Sequence, residues 1–256
     1  MFDFSYVTTE GTVKKINQDA LLVKIAEYKN KQILFMAVAD GIGGLPKGET
    51  ASAFVISEVA RWFEKEYSAM LKEGKNILAV RKSLDVFLHG LSDELNDLAE
   101  PMGTTYTSVI IDPILDSVLV AHVGDTRLYK IFSDRAEIVT SDHSVVAEEV
   151  RSGKLTEEEA RLDKRQNQIT NCMGAGETGR VYDYIIQKPD KECIYMLCTD
   201  GFRKMITKDE ILECLSPDVN INSDIIHENL DYLLELNMNR KERDNITAVA
   251  VKYKGD

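Results

Sequence analysis

Seven consecutive apolar residues, Ile33-Leu34-Phe35-Met36-Ala37-Val38-Ala39, stop abruptly at Asp40-Gly41-Ile42-Gly43-Gly44. An unbroken apolar run of strand length reads as a buried strand, and a sheet built on it must be covered. The carboxylate at its end has counterparts. Asp40, Asp125, Asp200 and Asp244 each fall in a turn at the end of an apolar run, and Gly41, Gly201 and Asn245 follow three of them. Taken singly, Asp-Gly or Asp-Asn is most simply a turn, because glycine and asparagine tolerate positive φ. Taken together, carboxylates at strand ends can converge on one rim of a sheet, where they bind hard divalent cations.

The remaining pattern decides whether such a rim exists. After the glycine loop, Val55, Val59, Trp62 and Phe63 mark one face of an amphipathic helix. A second helix carries Ile77, Val80, Leu84, Phe87, Leu91, Leu95 and Leu98 at three- and four-residue spacing and closes at Pro101-Met102-Gly103. Residues 105–111, 117–123 and 127–132 are short β-rich runs. Asp112-Pro113 and Gly124-Asp125 separate them, the punctuation of adjacent antiparallel strands, which puts Asp125 in a hairpin turn. Residues 144–168 are highly charged, with a short helix expected over 156–164. Strand signals return at 182–187, 193–197 and 246–251, and a helical stretch over 211–236 is broken at Pro217. Grouped strands with separate helices argue for an α+β fold. Asp40 and Asp200 follow their strands and Asp244 precedes its own. An antiparallel last strand would bring all three to one edge.

Charge narrows the chemistry. The 256 residues carry a formal net charge of −12, and no Lys/Arg stripe offers a surface to nucleic acid. That charge would repel a phosphorylated substrate unless metals or a local cation neutralised the site. No Gly/Ser/Pro-rich linker divides the chain, so residues 1–256 read as a single domain. Residues 1–10 lack the apolar core of a signal peptide, and no apolar run approaches the roughly 20 residues of a membrane span. Cys172, Cys193, Cys198 and Cys214 form no Cys-x-x-Cys pair and read as reduced core residues of a cytoplasmic protein. His89, His122, His143 and His227 are scattered without zinc-ligand spacing.

Seven short motifs then fall in order: Asn17-Gln18-Asp19, Val38-Ala39-Asp40-Gly41-Ile42-Gly43-Gly44, Gly103-Thr104-Thr105, Val123-Gly124-Asp125-Thr126-Arg127, Ser141-Asp142-His143-Ser144, Thr199-Asp200-Gly201 and Arg243-Asp244-Asn245. In this order and spacing, from about Gly11 to about Val251, the chain resembles the metal-dependent protein phosphatases of the PPM, or PP2C, family, in particular the bacterial branch. The resemblance implies a four-layer α/β/β/α sandwich of two mainly antiparallel sheets flanked by helices. It implies hydrolysis of phosphoserine and phosphothreonine in proteins, opposing a Ser/Thr protein kinase, by a water or hydroxide held between two Mn²⁺ or Mg²⁺ ions.

Carried over by position, Asp40 bridges the two ions, the Gly41 carbonyl binds one of them, and Asp200 and Asp244 complete the other. Asp125 with Asp200 matches the pair that holds a third, weaker ion in many bacterial relatives, and Asp19 acts through bound water. Lys14 stands where the family has a phosphate-clamping arginine, supplying a point charge without the bidentate fork. Gln18 replaces the usual glutamate. Ile42 stands where eukaryotic members have a histidine thought to act as general acid. Residues 144–168 match a flap, which would help choose substrates. The alternative is a degenerate member that binds phosphoproteins or senses a partner without turnover. The protein is expected to be a monomer.

Other phosphatase and nucleotide designs fail. Cys198 to Arg203 is one residue short of Cys-x₅-Arg, and Lys47 is followed by Gly48 where a nucleotide-binding P-loop needs Ser or Thr. His143 reads as a turn or packing residue, and Glu157-Glu158-Glu159 as a solvated helix face.

Overall fold

The computed structural model describes residues 1–43, 47–97, 100, 102–175 and 181–255. Gly44, Leu98 and Pro101 of the motifs above lie outside them. The chain begins with β1 (Phe2–Thr9), β2 (Asp19–Tyr28) and β3 (Lys31–Asp40), followed by α1 (Gly48–Trp62), a π-helical turn (Phe63–Tyr67), α2 (Ser68–Lys72) and α3 (Ile77–Asn96). Next come β4 (Gly103–Thr104), β5 (Tyr106–Asp112), β6 (Ser117–Val123), β7 (Arg127–Ile131) and β8 (Ala136–Ile138), then α4 (Val145–Arg151) and α5 (Glu157–Leu162). The last part holds β9 (Met173–Gly174), β10 (Asp183–Gln187), β11 (Cys193–Cys198), α6 (Asp200–Arg203), α7 (Lys208–Leu215), α8 (Ser223–Asn239) and β12 (Ile246–Tyr253).

Two five-stranded sheets form, ordered β1-β12-β11-β7-β8 and β10-β6-β5-β3-β2, with a small β4-β9 pair beside them. Neighbouring strands in both are antiparallel. Side chains alternate across each strand, so a strand covered on both faces must be apolar throughout. In β3, Leu34, Met36 and Val38 face the other sheet, where they meet Leu128, Tyr195, Leu197 and Val249. Ile33, Phe35, Ala37 and Ala39 face the opposite way, onto Val55, Val59, Trp62 and Leu84 of α1 and α3. The second sheet repeats this arrangement: Ile194, Met196 and Cys198 of β11 pack against Ile211 of α7 and Ile226, Leu230 and Leu233 of α8. The result is the α/β/β/α sandwich. Truncating a fully buried residue of the middle layer, such as Met36 to Ala, should cost about 2–5 kcal/mol.

Three features differ from the sequence reading. Two strands, β1 and β2, precede Ile33–Ala39 in a stretch where the sequence pattern marked none. Each is the edge strand of its sheet, and much of each is only half-buried, which dilutes the apolar signal. The β6 and β7 runs are not hairpin partners. They belong to different sheets, so Gly124-Asp125-Thr126 is the crossing between them. The charged 144–168 segment holds two helices rather than one. Thr156 caps the second through a reciprocal bond with Glu159, and Ser144 caps the first.

Candidate active site

The topology delivers five carboxylates to one rim. Asp19 opens β2 and Asp40 closes β3, and the two are directly paired across the ladder. Asp200 follows the carboxyl end of β11, while Asp244 precedes the amino end of β12, which runs antiparallel to β11. Asp125 joins them from the crossing after β6. The group crowds its own charges. Burial, then the charges of Asp19, Asp200, Asp125 and Asp244, hold the Asp40 carboxyl well above the usual carboxylate range. Burial pushes Asp19 up to about 7, against hydroxyl contacts from Thr247 and Thr199 and aided by Asp200 and Asp244. Asp125 also rises to about 7 through burial and the Asp200 charge, with Arg203 opposing.

Neutral donors position the Asp19–Asp40 side. The Asp40 amide donates to Thr105 Oγ1 (2.9 Å), and its carbonyl accepts from Thr104 Oγ1 (2.9 Å) and the Thr105 amide (2.8 Å). Thr199 Oγ1 donates to Asp19 Oδ2 (3.0 Å), and the Asp19 amide is held by Asn17 Oδ1 (3.0 Å). Asn245 ties the N-terminal loop to β12: its Oδ1 accepts from the Gln18 amide (3.0 Å) and its Nδ2 donates to the carbonyls of Glu10 and Ile16. The Gln18 carbonyl in turn accepts from the Gly41 amide (3.0 Å) and Ser52 Oγ (2.6 Å).

The glycines after Asp40 and Asp200 are not there for positive φ, which neither adopts. They permit close approach. A Cβ on Gly41 would lie 2.3 Å from the Gly48 carbonyl at the start of α1, and one on Gly201 would lie 2.1 Å from the Asn245 carbonyl. Asn245 likewise serves through its side chain rather than through a turn.

Lys14 points into the rim. Its Nζ lies 3.0 Å from Asp244 Oδ1, and 3.7 Å from where a Cβ on Gly43 would sit. The exposed surface lysine is its neighbour Lys15.

Cations hold the Asp125–Asp200 side. Lys204, one helical turn after Asp200, bonds Asp200 Oδ2. Burial lowers the Lys204 pKa, but the charges of Asp200, Asp125 and Asp244 outweigh it and the net shift is upward. Arg203 Nη2 donates to the Asp125 carbonyl (3.1 Å) and to Asp142 Oδ2 (3.1 Å), and lies 3.8 Å from Asp125 Oδ2. Asp142 is shared with Arg127, which grips it through Nε (2.8 Å) and Nη2 (2.7 Å). His143 secures the Gly124-Asp125 crossing: its amide donates to the Gly124 carbonyl (2.8 Å), and its Nδ1 accepts from the Gly124 amide (3.2 Å). Its Nε2 faces Asp183 (3.1 Å), so its role is to position the crossing, and Asp142 and His143 act as a brace behind Asp125.

Asp19 Oδ1, Asp125 Oδ1 and Asp200 Oδ1 are buried with no hydrogen-bond partner among the described residues. Unbonded buried carboxylate oxygens of this kind fit an oxygen-preferring cation such as Mg²⁺ or Mn²⁺. As the side chains lie, no three His, Cys, Asp or Glu among the described residues are gathered tightly enough to enclose an ion. Lys14 engages Asp244, and Lys204 engages Asp200.

The side chains of Thr199, Arg203, Lys204 and Asn245 were given no role from sequence. Thr199 and Asn245 lie within the motifs beside Asp200 and Asp244, and Lys204 had a signal in its i,i+4 spacing from Asp200; Arg203 looks like an ordinary surface residue.

A family profile described as protein phosphatase 2C matches residues 11–235. The chain belongs to the protein phosphatase 2C family. It is 28% identical over 254 residues to a protein named as a putative protein phosphatase 2C-type from Streptococcus pyogenes, with 96% of each chain covered. It is likewise 28% identical to the serine/threonine phosphatase stp of Listeria innocua, covering 96% of this chain and 93% of that one. Among solved structures, the serine/threonine phosphatase of S. agalactiae matches with a TM-score of 0.83 at 26% identity, covering 99% of this chain and 100% of that one. Stp1 from Staphylococcus aureus matches at 0.82 and 27%, covering 100% and 96%.

Proposed function

We propose that this protein is a Mn²⁺- or Mg²⁺-dependent protein serine/threonine phosphatase, acting on phosphoproteins in the cytoplasm against a Ser/Thr protein kinase. The observation that carries the reading is the convergence of five carboxylates on one rim, three of them with a buried, unbonded oxygen. A relative solved in complex with two manganese ions has the same fold, which is consistent with a metal-dependent site. Among the described residues no helix is long and apolar enough to cross a membrane. We read residues 1–256 as one phosphatase domain, with 144–168 as its flap.

In this reading Asp40, the Gly41 carbonyl, Asp200 and Asp244 hold two ions. Bound there, Mg²⁺ or Mn²⁺ would lower the pKa of a water and neutralise charge on the phosphoryl oxygens. Lys14 binds the substrate phosphoryl group, releasing Asp244 as it does so. Asp19, fixed by Thr199 and Asn17, orients water at the back of the site. A third ion between Asp125 and Asp200 would have to displace the Lys204 ammonium. The non-hydrolysing alternative gains no support from relatives named as phosphatases.

The test is phosphate release from a phosphothreonine peptide. Release with Mn²⁺ that is abolished by excess EDTA and by Asp40→Asn is expected. No release from a folded, Mn²⁺-binding protein would overturn the reading.

A further inference from the structure

Beneath the flap lies a cavity of about 490 Å³, bounded by α4 and α5 on one side and by β7, α6 and α7 on the other. Its charge runs against the rest of the molecule. The chain has 31 lysines and arginines against 43 acids, yet this cavity is lined by six cations (Arg127, Arg151, Arg161, Arg203, Lys204 and Lys208) and by only two acids, Asp142 and Glu157.

Pairing offsets only part of this excess: Lys204 is matched by Asp200, just outside the lining, and Arg203 also lies 3.8 Å from Asp125 Oδ2. Asp142 is one negative charge shared by two guanidinium groups, Arg127 and Arg203. Arg151 bonds the Ser141 hydroxyl and the Asp142 carbonyl, neither of which neutralises it. Arg161 on the flap and Lys208 on the body are exposed, and among the described residues neither has a carboxylate within ion-pair reach. Between these cations the lining is apolar, with Val146, Val150, Ile206 and Ile211. The cavity also adjoins the carboxylate rim, since Arg203 and Lys204 line it while contacting Asp125 and Asp200.

We infer that this cavity is a second recognition site, which takes an anionic side chain of the phosphoprotein substrate at a position flanking the residue being dephosphorylated. The apolar lining accepts the methylene stem, and the unpaired cations of the flap and body receive the charge. Glutamate, aspartate and a second phosphorylated residue share this chemistry. The inference rests on the phosphatase reading above. It gives the flap a definite task, because Arg161 reaches the cavity only as the flap lies over the body.

The experiment uses the full chain with Mn²⁺ and compares kcat/KM for three phosphothreonine peptides, whose flanking positions carry alanine, glutamate or a second phosphoserine. Para-nitrophenyl phosphate, too small to span rim and cavity, is the reference substrate. The Arg161→Gln/Lys208→Gln double variant changes only exposed side chains outside the carboxylate rim, and its melting temperature confirms that it folds. The expected result is a preference of about fivefold or more for an anionic flank. The double variant should lose that preference and keep the para-nitrophenyl phosphate rate. The ratio between the glutamate and phosphoserine arms tells which anion is preferred. Equal kcat/KM for all three peptides, or a preference that survives in the variant, overturns the inference while leaving the phosphatase reading intact. Failure to hydrolyse para-nitrophenyl phosphate and every peptide overturns both.

Discussion

Asp40 and Asp142 are acids of the same region, yet their surroundings push them in opposite directions. Burial and four neighbouring carboxylates raise the Asp40 pKa, and its backbone is held by two threonine hydroxyls and a threonine amide, none of them charged. Burial would raise Asp142 as well, but Arg203 and Arg127 outweigh it and hold its pKa below the usual range. One side of the rim is charge-frustrated and the other carries its own counterions. A folded protein tolerates the first arrangement where cations from outside relieve it. The second is a structural element in its own right, and it places Asp125 for whatever the frustrated side does.

Substituting each side tests this division, and the largest effect belongs to Asp40. Asp40→Asn should lower phosphatase turnover by about 10³-fold, since it removes a proposed ligand for both ions. Its metal-free melting temperature should not fall, because a neutral amide relieves repulsion among buried carboxylates. A variant that loses activity because it unfolds would break the comparison.

The opposite pattern is expected at Asp142. Asp142→Ala leaves Arg127 and Arg203 without their shared partner, which should cost about 3–5 kcal/mol in urea unfolding with or without metal. Activity should fall less than in Asp40→Asn, provided the assay is run well below the melting temperature. A stability change below 1 kcal/mol would mean that the two arginines find other partners.

The frustrated side was the more legible of the two in the sequence. Asp40 and Asp244, and with them Asp200 on the boundary between the two sides, stand beside apolar runs, and strands covered on both faces announce themselves as unbroken apolar segments. The brace was harder to read for a physical reason. Arg203 and Lys204 look like surface cations, and only tertiary packing turns them inward. The Gly124-Asp125 crossing looks the same in sequence as a hairpin turn, because a chain changing sheets needs the same local bend as one reversing within a sheet. Half-buried edge strands explain the omission of β1 and β2. Asn245 and Thr199 act through hydrogen bonds to residues some 180 to 235 positions away, which no local pattern encodes.

Lys204 sharpens the boundary between the two sides, since it belongs to the self-neutralised group but sits on a proposed metal ligand. Lys204→Met removes an ammonium that competes for Asp200. Affinity for Mn²⁺ should rise about tenfold by calorimetry, equivalent to about 1.4 kcal/mol. An additional ion bound at Asp125 and Asp200 would appear as a higher stoichiometry. Weaker binding would instead identify Lys204 as the group that aims Asp200.

The smallest effect is expected at Lys14, the cation on the frustrated side. It sits 3.0 Å from Asp244 with its side chain about one-third exposed, so its attraction is partly screened by water. One ammonium must choose between Asp244 and an incoming phosphoryl oxygen. A guanidinium offers several N–H groups in a planar fork and can keep one on Asp244 while presenting others to the phosphate. Lys14→Arg should therefore raise kcat/KM for a phosphothreonine peptide by about threefold, mostly through a lower KM. Lys14→Met should lower it by a larger factor, with kcat less affected than KM. If neither substitution moves KM, the Lys14 contact with Asp244 is only a surface ion pair, and the phosphate must be bound by other groups of the rim.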